Sequence, residues 1–459
     1  MLTENGLGPQ IDIEEAAIPM SASVMARPRR LKEAIAVLDL LADFEPLANI
    51  VTTWERYEAA TSIIGPFVKP ITADVRRDVY EKQVWKSGQS LIETAEALFR
   101  NTDRRVRVTK SDRMSDYYKY YTGSNLRWEA FCVFFTACGL CCNSLRYDEA
   151  LYAFVGHTED DRQDLMYRLM QASNACISFC EDAGQLSDLA VWALLENGIY
   201  NSQVLGDAHY LTWRKIGDVS TAIFAQGLHQ ESKKDTAKLP FWMVEMRRRA
   251  LGSAYAIDKL LCTFVGRPPR ISQRYCLIRD PLDLEYTELA LEPDELEVAL
   301  NSINEQGWNT NSLKETRKSV YNRCFVLVGK LREEVLELSL GPPQADMLEK
   351  ARDIITRNQE LMESLPEYVR FRPGTWERKA VVRFFAAQEY LDILYNEFMI
   401  RRMMIRQFRH DPDDLLKVAR QILEGVLEAS TKRYTTNDAC VPWMAILVST
   451  SGCRSSLPY

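Results

Sequence analysis

Three acidic residues at helical spacing are the first candidates for chemistry in this sequence. Asp160, Asp161 and Asp164 lie in the stretch HTEDDRQDLMYRLMQ, and carboxylates four positions apart share one face of a helix. Such a pair can bind Mg²⁺ through oxygen ligands and bring the ion to a diphosphate. The same residues also fit a helix start, with Thr158 as the N-cap and acidic side chains in the first turn, where the helix dipole favours negative charge.

The Asp-Asp-x-x-Asp pattern resembles the metal-diphosphate motif of all-α terpenoid synthases, which would imply a Mg²⁺-dependent enzyme. We find no second acidic motif of the kind those enzymes use. We also find no catalytic triad, phosphate-binding loop or dinucleotide fingerprint in the sequence. Helix capping explains the aspartates without a metal, so we expect no enzyme activity and no catalytic residues. The enzyme stays open as an alternative.

The cysteines and histidines are the next candidates for metal or redox chemistry. Cys138 and Cys141 form a Cys-x-x-Cys pair, but no second pair follows at metal-site spacing. The eleven cysteines are odd in number and lie mainly in apolar runs, which predicts reduced, buried thiols. His229, one of four histidines, is predicted to be a structural cap or dipole partner at a helix end. We expect no metal and no cofactor in this chain.

The stretch from Glu245 to Ile271, EMRRRALGSAYAIDKLLCTFVGRPPRI, predicts a charged helix that ends at a rigid turn. A helix as far as Val265 has one largely apolar face, and that face carries Arg247 and Asp258. These two residues are about 16 Å apart along the helix axis, so they cannot pair with each other. If they are buried, each needs a partner from another element, because an unpaired buried charge costs several kcal/mol.

The turn after this helix is predicted from its glycine and prolines. Gly266 suits a left-handed C-cap, and Pro268 with Pro269 prevents the helix from continuing. Arg267 is then held at a tight turn. From the residues alone, the simplest interpretation is a core helix held by buried ion pairs, which positions other helices and performs no chemistry.

Helical periodicity also dominates the rest of the chain and predicts an all-α fold, a large irregular helical array. We find no convincing run of alternating strand residues and no internal repeat. The asparagine-rich stretch from Asn301 to Ser312 is predicted to be the longest loop. Two apolar stripes show the period most clearly, one early and one late: Leu31, Ile35, Leu38 and Leu41, and Val320, Cys324, Leu327, Leu331, Val335 and Leu338.

Composition limits the classes of partner. The chain has 459 residues, 46% hydrophobic content and a formal net charge of −7, so its surface on average repels a polyanion. The longest apolar stretch, Phe131 to Leu145, is too short to span a bilayer, and the N-terminus does not resemble a signal peptide. We expect a soluble intracellular protein with no membrane partner. The basic stretch from Arg100 to Arg113 is predicted to be a solvated loop, with nuclear import or phosphate contact as its functional alternative.

The helix and turn described above resemble the signature of the fungal-specific transcription factor domain, the middle homology region of fungal zinc-cluster transcription factors. That family reads Glu-x-Arg-Arg-Arg, an aromatic pair, a helix with an aspartate, and Gly-Arg-Pro. A Gly-Leu-His stretch ends a helix upstream. The matching residues here are Glu245, Arg247, Arg248, Arg249, Asp258, Gly266, Arg267 and Pro268, with Gly227, Leu228 and His229 upstream. The resemblance covers about residues 131 to 283 and continues more weakly, through helical pattern, to about residue 410.

Two features depart from the family pattern. Ala250 and Leu251 replace the usual aromatic pair, so the packing there is expected to differ. The six-cysteine zinc cluster is also absent, since no cysteine precedes Cys132. That cluster is the DNA-reading module of these regulators. We therefore expect zinc only in that missing module, and contact with DNA only through it or through a partner.

The resemblance implies a regulatory region that controls transcription in a fungal nucleus through effector response or dimerisation. The implied partners are a second copy or a related regulator, and a small-molecule effector whose binding residues the sequence does not indicate. The alternative is a helical interaction scaffold without DNA binding. The predicted organisation is a disordered or linker segment (1–28), the helical regulatory domain (29–410), and a C-terminal helix with an apolar tail (411–459).

Overall fold

The computed structural model confirms the all-α class. It describes residues 21–54, 62–144, 154, 158–184, 186–232, 236–277, 279–311, 317, 319–371 and 380–431. Within these ranges the regular elements are helices, joined by turns and one isolated antiparallel bridge between Ile303 and Asn309. That bridge lies in the predicted asparagine-rich loop.

The first eight α-helices form the N-terminal part of the array. They are α1 (Ser21–Asp39), α2 (Phe44–Thr52), α3 (Gly65–Val75), α4 (Gly88–Thr102), α5 (Trp128–Ser144), α6 (Glu159–Asp182), α7 (Asp188–Leu205) and α8 (Tyr210–Ala225). The remaining seven are α9 (Phe241–Val265), α10 (Tyr286–Leu289), α11 (Pro293–Asn301), α12 (Val320–Leu340), α13 (Met347–Ser364), α14 (Ala380–Phe408) and α15 (Asp413–Thr431).

The start of α1 corrects the predicted boundary near residue 28. The helix begins at Ser21 and continues through Pro28, whereas the proline-punctuated segment was expected to stay outside the helices. A proline inside a helix removes one hydrogen bond and crowds the preceding turn, which weakens a helix without always ending it. Pro70 lies inside α3 in the same way. Residues 1–20 and the apolar tail after residue 431 lie outside the described part of the chain.

Helix α5 forms the centre of the larger core. Its sequence is apolar on all sides, as expected of a helix surrounded by other helices, and it packs against α2, α3, α6 and α7. Gly139 allows the closest of these contacts, because a β-carbon there would lie 2.0 Å from the Tyr200 ring. The Tyr200 hydroxyl crosses that contact and donates to the Met166 carbonyl at 2.5 Å.

The C-terminal helices pack around α12. On one side α12 meets α9, and on the other it meets α13 and α14 through two smaller apolar clusters. Helix α15 packs on the outside of α14. No helix in the described ranges has the length and apolar character needed to cross a membrane.

Candidate functional site

The end of α9 has the predicted geometry. Gly266 adopts the left-handed conformation (φ 62°, ψ 39°), and the next amide, of Arg267, donates back to the Cys262 carbonyl at 3.1 Å. This is the Schellman arrangement, in which glycine avoids the cost of a β-carbon at positive φ. The helix begins at Phe241, four residues before the stretch used in the prediction, directly after Pro240.

Asp258 is fully buried and binds the turn that follows its own helix. Its Oδ2 accepts hydrogen bonds from the amides of Arg270 (2.9 Å) and Ile271 (3.0 Å), and from Nζ of Lys259 (3.0 Å). Two backbone donors and one cation compensate the carboxylate for its loss of water. The chain after Gly266 is therefore tied back against α9.

Lys259 and Glu333 extend this network to α12. Nζ of Lys259 lies 3.7 Å from the Glu333 carboxylate and 4.1 Å from the centre of the Tyr255 ring, and both charged side chains are buried. Glu333 also accepts from the Ser272 hydroxyl at 2.7 Å and from the Gln273 amide at 3.2 Å. Asp258, Lys259 and Glu333 thus hold α9, the turn and α12 together through hydrogen bonds and ion pairs among these three segments.

The three consecutive arginines contact three different parts of the molecule. Arg247 binds Asp188 at the start of α7 through two hydrogen bonds of 2.7 and 2.8 Å. Arg248 binds Glu231, after α8, through two hydrogen bonds of 2.8 and 2.6 Å. As predicted, Arg247 and Asp258 take their partners from other segments and not from each other.

Arg249 is the most deeply buried of the three arginines. The Arg249 side chain is fully buried, whereas Arg247, placed on the apolar face from the sequence, keeps 30% of its side chain exposed. Arg249 lies 3.3 Å from Glu245, one turn earlier, and 5.1 Å from the Tyr286 ring. Burial raises the pKa of Glu245. The four-residue spacing of Glu245 and Arg249 was the available signal for this buried pair.

The Gly-Leu-His stretch does not act as the predicted cap. Gly227 takes a positive φ of 67° after α8, and Leu228 is buried. The His229 ring packs edge-on against Phe224 at 5.2 Å, and its buried Nδ1 has no hydrogen-bond partner in the described part of the chain. Burial lowers the pKa of His229, which favours the neutral ring and works against a role as a charged dipole partner. Its backbone carbonyl instead accepts from the Leu277 amide at 2.8 Å.

The turn arginines lie against a tryptophan of α8. The guanidinium carbons of Arg267 and Arg270 are 4.5 and 3.7 Å from the centre of the Trp213 ring. Arg270 also donates to the Trp213 carbonyl at 2.6 Å and lies along the bare backbone of Gly217, where a β-carbon would come within 3.2 Å of it. Stacking of this kind holds the turn against α8.

The acidic triplet begins a helix, as the capping interpretation predicted. Thr158 accepts from the Asp161 amide at 3.1 Å, and Asp161 accepts from the Thr158 amide at 3.1 Å and from its hydroxyl at 2.7 Å. This reciprocal pair is a capping box, so one of the three carboxylates is engaged by the helix start itself. Asp160 and Asp164 are exposed.

The described cysteines are free and buried, in agreement with the prediction. Burial raises the pKa of Cys132 to about 11 and that of Cys141 to about 12, which keeps both as neutral thiols. Cys138 packs with its sulfur 3.6 Å from the Leu47 carbonyl. Among the residues that the structure describes, no group of three or more histidine, cysteine, aspartate or glutamate side chains has an arrangement able to hold a metal ion.

Comparison with known proteins confirms the predicted resemblance. Residues 144–363 match the family model of the fungal specific transcription factor domain, a segment that includes α9, the turn, most of the buried charge network and α12. This segment of the chain is therefore similar to that domain. No curated protein and no solved structure matches the chain.

Proposed function

We propose that this chain is the regulatory region of a fungal zinc-cluster-type transcription factor and that it controls transcription in the nucleus through effector response or dimerisation. The observation that carries this proposal is the family match over residues 144–363, within which the arginines, Asp258 and the Gly-Arg-Pro turn form one connected scaffold. DNA reading, with its zinc, is assigned to a zinc-cluster module outside these residues or to a partner.

The geometry supports a scaffold role for the signature residues. Asp258, Lys259 and Glu333 use their polar atoms on one another and on the turn, and Arg247 and Arg248 each bind a carboxylate through two hydrogen bonds. Charged groups whose hydrogen-bonding capacity is taken up within the chain fix the positions of helices, and they have few free donors or acceptors for a substrate. The signature is thus the support of a regulatory domain, and its effector or protein contacts are expected elsewhere on the surface.

A tethering experiment tests the regulatory function. The chain would be fused to a heterologous DNA-binding domain and assayed on a reporter gene in a fungal host. We expect the fusion to change reporter expression at least several-fold relative to the DNA-binding domain alone. A matched fusion carrying Asp258→Ala, which breaks the scaffold, should lose the effect. Equal expression from all three proteins at equal protein levels would contradict the proposal.

The role assigned to a separate DNA-reading module has its own test. Fluorescence anisotropy of the purified chain with random and promoter-derived duplexes should show only weak binding that salt removes, because the net charge is −7. Sequence-specific binding at physiological salt by this chain alone would contradict the assignment.

Nuclear import is proposed to use the basic loop after α4. Arg104, Arg105, Arg107 and Lys110 are exposed there, as the solvated-loop prediction required. A fluorescent fusion should concentrate in the nucleus, and changing these four residues to alanine should lower the nuclear fraction. The same change at exposed residues Lys82, Lys86, Arg352 and Arg409 is the control. An unchanged distribution would leave the loop without this role.

A further inference from the structure

We propose that Arg267 and Arg270, stacked on Trp213, bind a small organic anion through its carboxylate or phosphate oxygens. This inference rests on the effector-response part of the proposed function and gives the effector a site and a charge. The two guanidinium carbons lie 4.5 and 3.7 Å from the centre of the same ring, so the two cations are close neighbours. We call Arg267 and Arg270 the stacked pair.

Neither member of the stacked pair has a carboxylate partner within the described residues. The Arg267 guanidinium forms no hydrogen bond there, and Arg270 forms one, to the Trp213 carbonyl at 2.6 Å. Other arginines that are buried or partly buried in this part of the chain each have a carboxylate beside them: Arg247 has Asp188, Arg248 has Glu231, Arg249 has Glu245 and Arg317 has Asp283. The stacked pair differs from all of these.

The neighbouring carboxylates do not neutralise the stacked pair. Lys259 lies between Asp258 and Glu333, so that buried group carries one excess negative charge. Arg274, further along the turn, binds Glu337 at 3.0 Å. On the other side of the ring's helix, two basic and two acidic residues act on one another: Arg214, Lys215, Glu181 and Asp218. One net positive charge therefore remains at the stacked pair.

Unused hydrogen-bond donors accompany this charge. An arginine carries five N–H donors in a planar fork, which matches the oxygens of carboxylate and phosphate. The side-chain donors of Arg267 are unused within the described residues, and Nε1 of Trp213 also lacks an acceptor among them. Both arginines keep part of their surface exposed, so a ligand can reach the forks from solvent. Positive charge together with free donors is the complement of an oxyanion.

The turn holds the stacked pair on a rigid backbone. Gly266 ends α9 in the left-handed conformation, and the two prolines after Arg267 have a fixed φ. The Arg270 amide donates to the buried Asp258 at 2.9 Å. A site that is ordered before binding loses less conformational entropy when the ligand arrives. An anion held by both arginines would strengthen the contact between the turn and α8.

Isothermal titration calorimetry on the purified full chain tests the site. The titrants are inorganic phosphate and succinate, at constant ionic strength with chloride as the buffer anion. We expect saturable binding of at least one of them, with a dissociation constant in the millimolar range, as suits ligands of this size. The anion that binds more tightly shows whether the acidic group of the effector is a phosphate or a carboxylate.

Substitution of Arg267 separates anion binding from the structural role of the turn. Arg267→Gln should weaken binding by about ten-fold or more, because it removes one charge and one fork. Arg274→Gln is the matched control, since it removes the same charge from the same turn but from a residue already paired with Glu337. It should change the affinity by less than about two-fold. Urea midpoints give a second readout: the anion should stabilise the wild type and Arg274→Gln but not Arg267→Gln, whatever the stability of each protein without anion.

Three results would overturn the proposal. The first is no saturable heat from either anion up to about 20 mM. The second is an affinity that Arg267→Gln leaves unchanged, or that Arg274→Gln lowers as much, since attraction by the general charge of the surface would explain it. The third is binding of duplex DNA, but of neither small anion, that Arg267→Gln removes. The tethering experiment needs no added anion, so it decides separately whether the chain regulates transcription.

Discussion

Helix α12 packs against buried charged residues on two of its sides, and the hydrogen bonding of these residues differs between the two sides. Toward α9, Glu333 accepts hydrogen bonds from the turn and lies 3.7 Å from Lys259. Toward α14, Arg332 donates to the Asp392 carbonyl at 2.9 Å and to the Asn396 side chain. Both carboxylate oxygens of the nearby Glu389 lack a hydrogen-bond partner among the residues that the structure describes.

This difference in hydrogen bonding predicts which of the two helix contacts contributes more to stability. On the α9 side each buried carboxylate meets backbone amides or a cation, so breaking the network should be costly. On the α14 side burial raises the pKa of Glu389 well above its usual range, and Asp392 raises it further while Arg332 opposes the shift. A carboxyl that is buried without a partner weakens the fold when it is charged. Of the signature residues, Asp258 therefore lies at the α12 contact where the buried carboxylates have hydrogen-bond donors.

The largest expected effect comes from breaking the satisfied side. Asp258→Ala removes the acceptor of two turn amides and one of the partners of Lys259, and it should lower the free energy of unfolding by about 3–5 kcal/mol. Urea denaturation followed by circular dichroism measures this. Asp160→Ala, at an exposed aspartate, is the control and should change stability by less than about 0.5 kcal/mol. A loss that small for Asp258→Ala would contradict the network.

Packing between α9 and α12 should give the next largest effect. A β-carbon on Gly252 would lie 2.6 Å from the Val326 side chain, so Gly252→Ala should destabilise by about 1–3 kcal/mol despite the better helix propensity of alanine. Adding Val326→Ala should recover part of the loss by making room. Gly88→Ala is the control, since nothing lies within 4 Å of its added β-carbon. A neutral Gly252→Ala would show that the helices do not approach this closely.

Glu389→Gln should change stability by a smaller amount and should stabilise the protein, whereas the preceding substitutions destabilise it. The pKa of Glu389 is higher in the folded chain than in the unfolded one, so folding takes up a proton. The contribution of Glu389 to stability is therefore fully present below its pKa in the unfolded chain. It is lost as the pH rises through the higher pKa of the folded chain. Removing the charge should stabilise by about 1 kcal/mol at pH 8, with a smaller gain at pH 5. Glu360→Gln, at an exposed position, should show no such pH dependence. The same gain at both pH values would refute this account.

The smallest effect on stability is expected at the turn arginines, which lie outside the α9–α12 and α12–α14 contacts. Arg267 stacks on Trp213 without a hydrogen bond to it, so Arg267→Ala should cost about 0.5–1 kcal/mol. Arg270→Ala should cost more, because Arg270 also donates to the Trp213 carbonyl. Comparing the two midpoints in urea tests this order. The reverse order would mean that the signature arginine, and not its neighbour, holds the turn.

Much of the local structure followed from short stretches of sequence. Thr158 with Asp161 predicted a helix start, and Gly266 with the two prolines predicted a helix end. Both signals act within a few residues, through a capping hydrogen bond and through steric limits on φ. Pro28 shows where such signals mislead, because α1 runs through it. The energetic cost of a proline ends a helix only when no other interaction in the fold outweighs that cost.

The partners of the charges could not be predicted in the same way. The sequence indicated that Arg247 and Asp258 needed partners, but Asp188 is 59 positions from the first and the turn amides are 12 and 13 positions from the second. The spacing of Glu245 and Arg249 pointed to their pairing, but not to Arg249 being the arginine buried most deeply. Burial depends on how many neighbouring helices surround a face.

By itself, the sequence determined the all-α class, the burial of the cysteines, the end of α9 and the resemblance to the fungal regulatory domain. These depend on hydrophobic period, capping and turn chemistry, which are properties of neighbouring residues. Only the tertiary structure decided that Glu333 completes the Asp258 network, that the Glu389 carboxylate accepts no hydrogen bond from the described residues, and that the leucines of α15 stay exposed. Each of these outcomes depends on which distant helices come into contact, because a buried charge or an apolar face is stabilised by whatever packs against it.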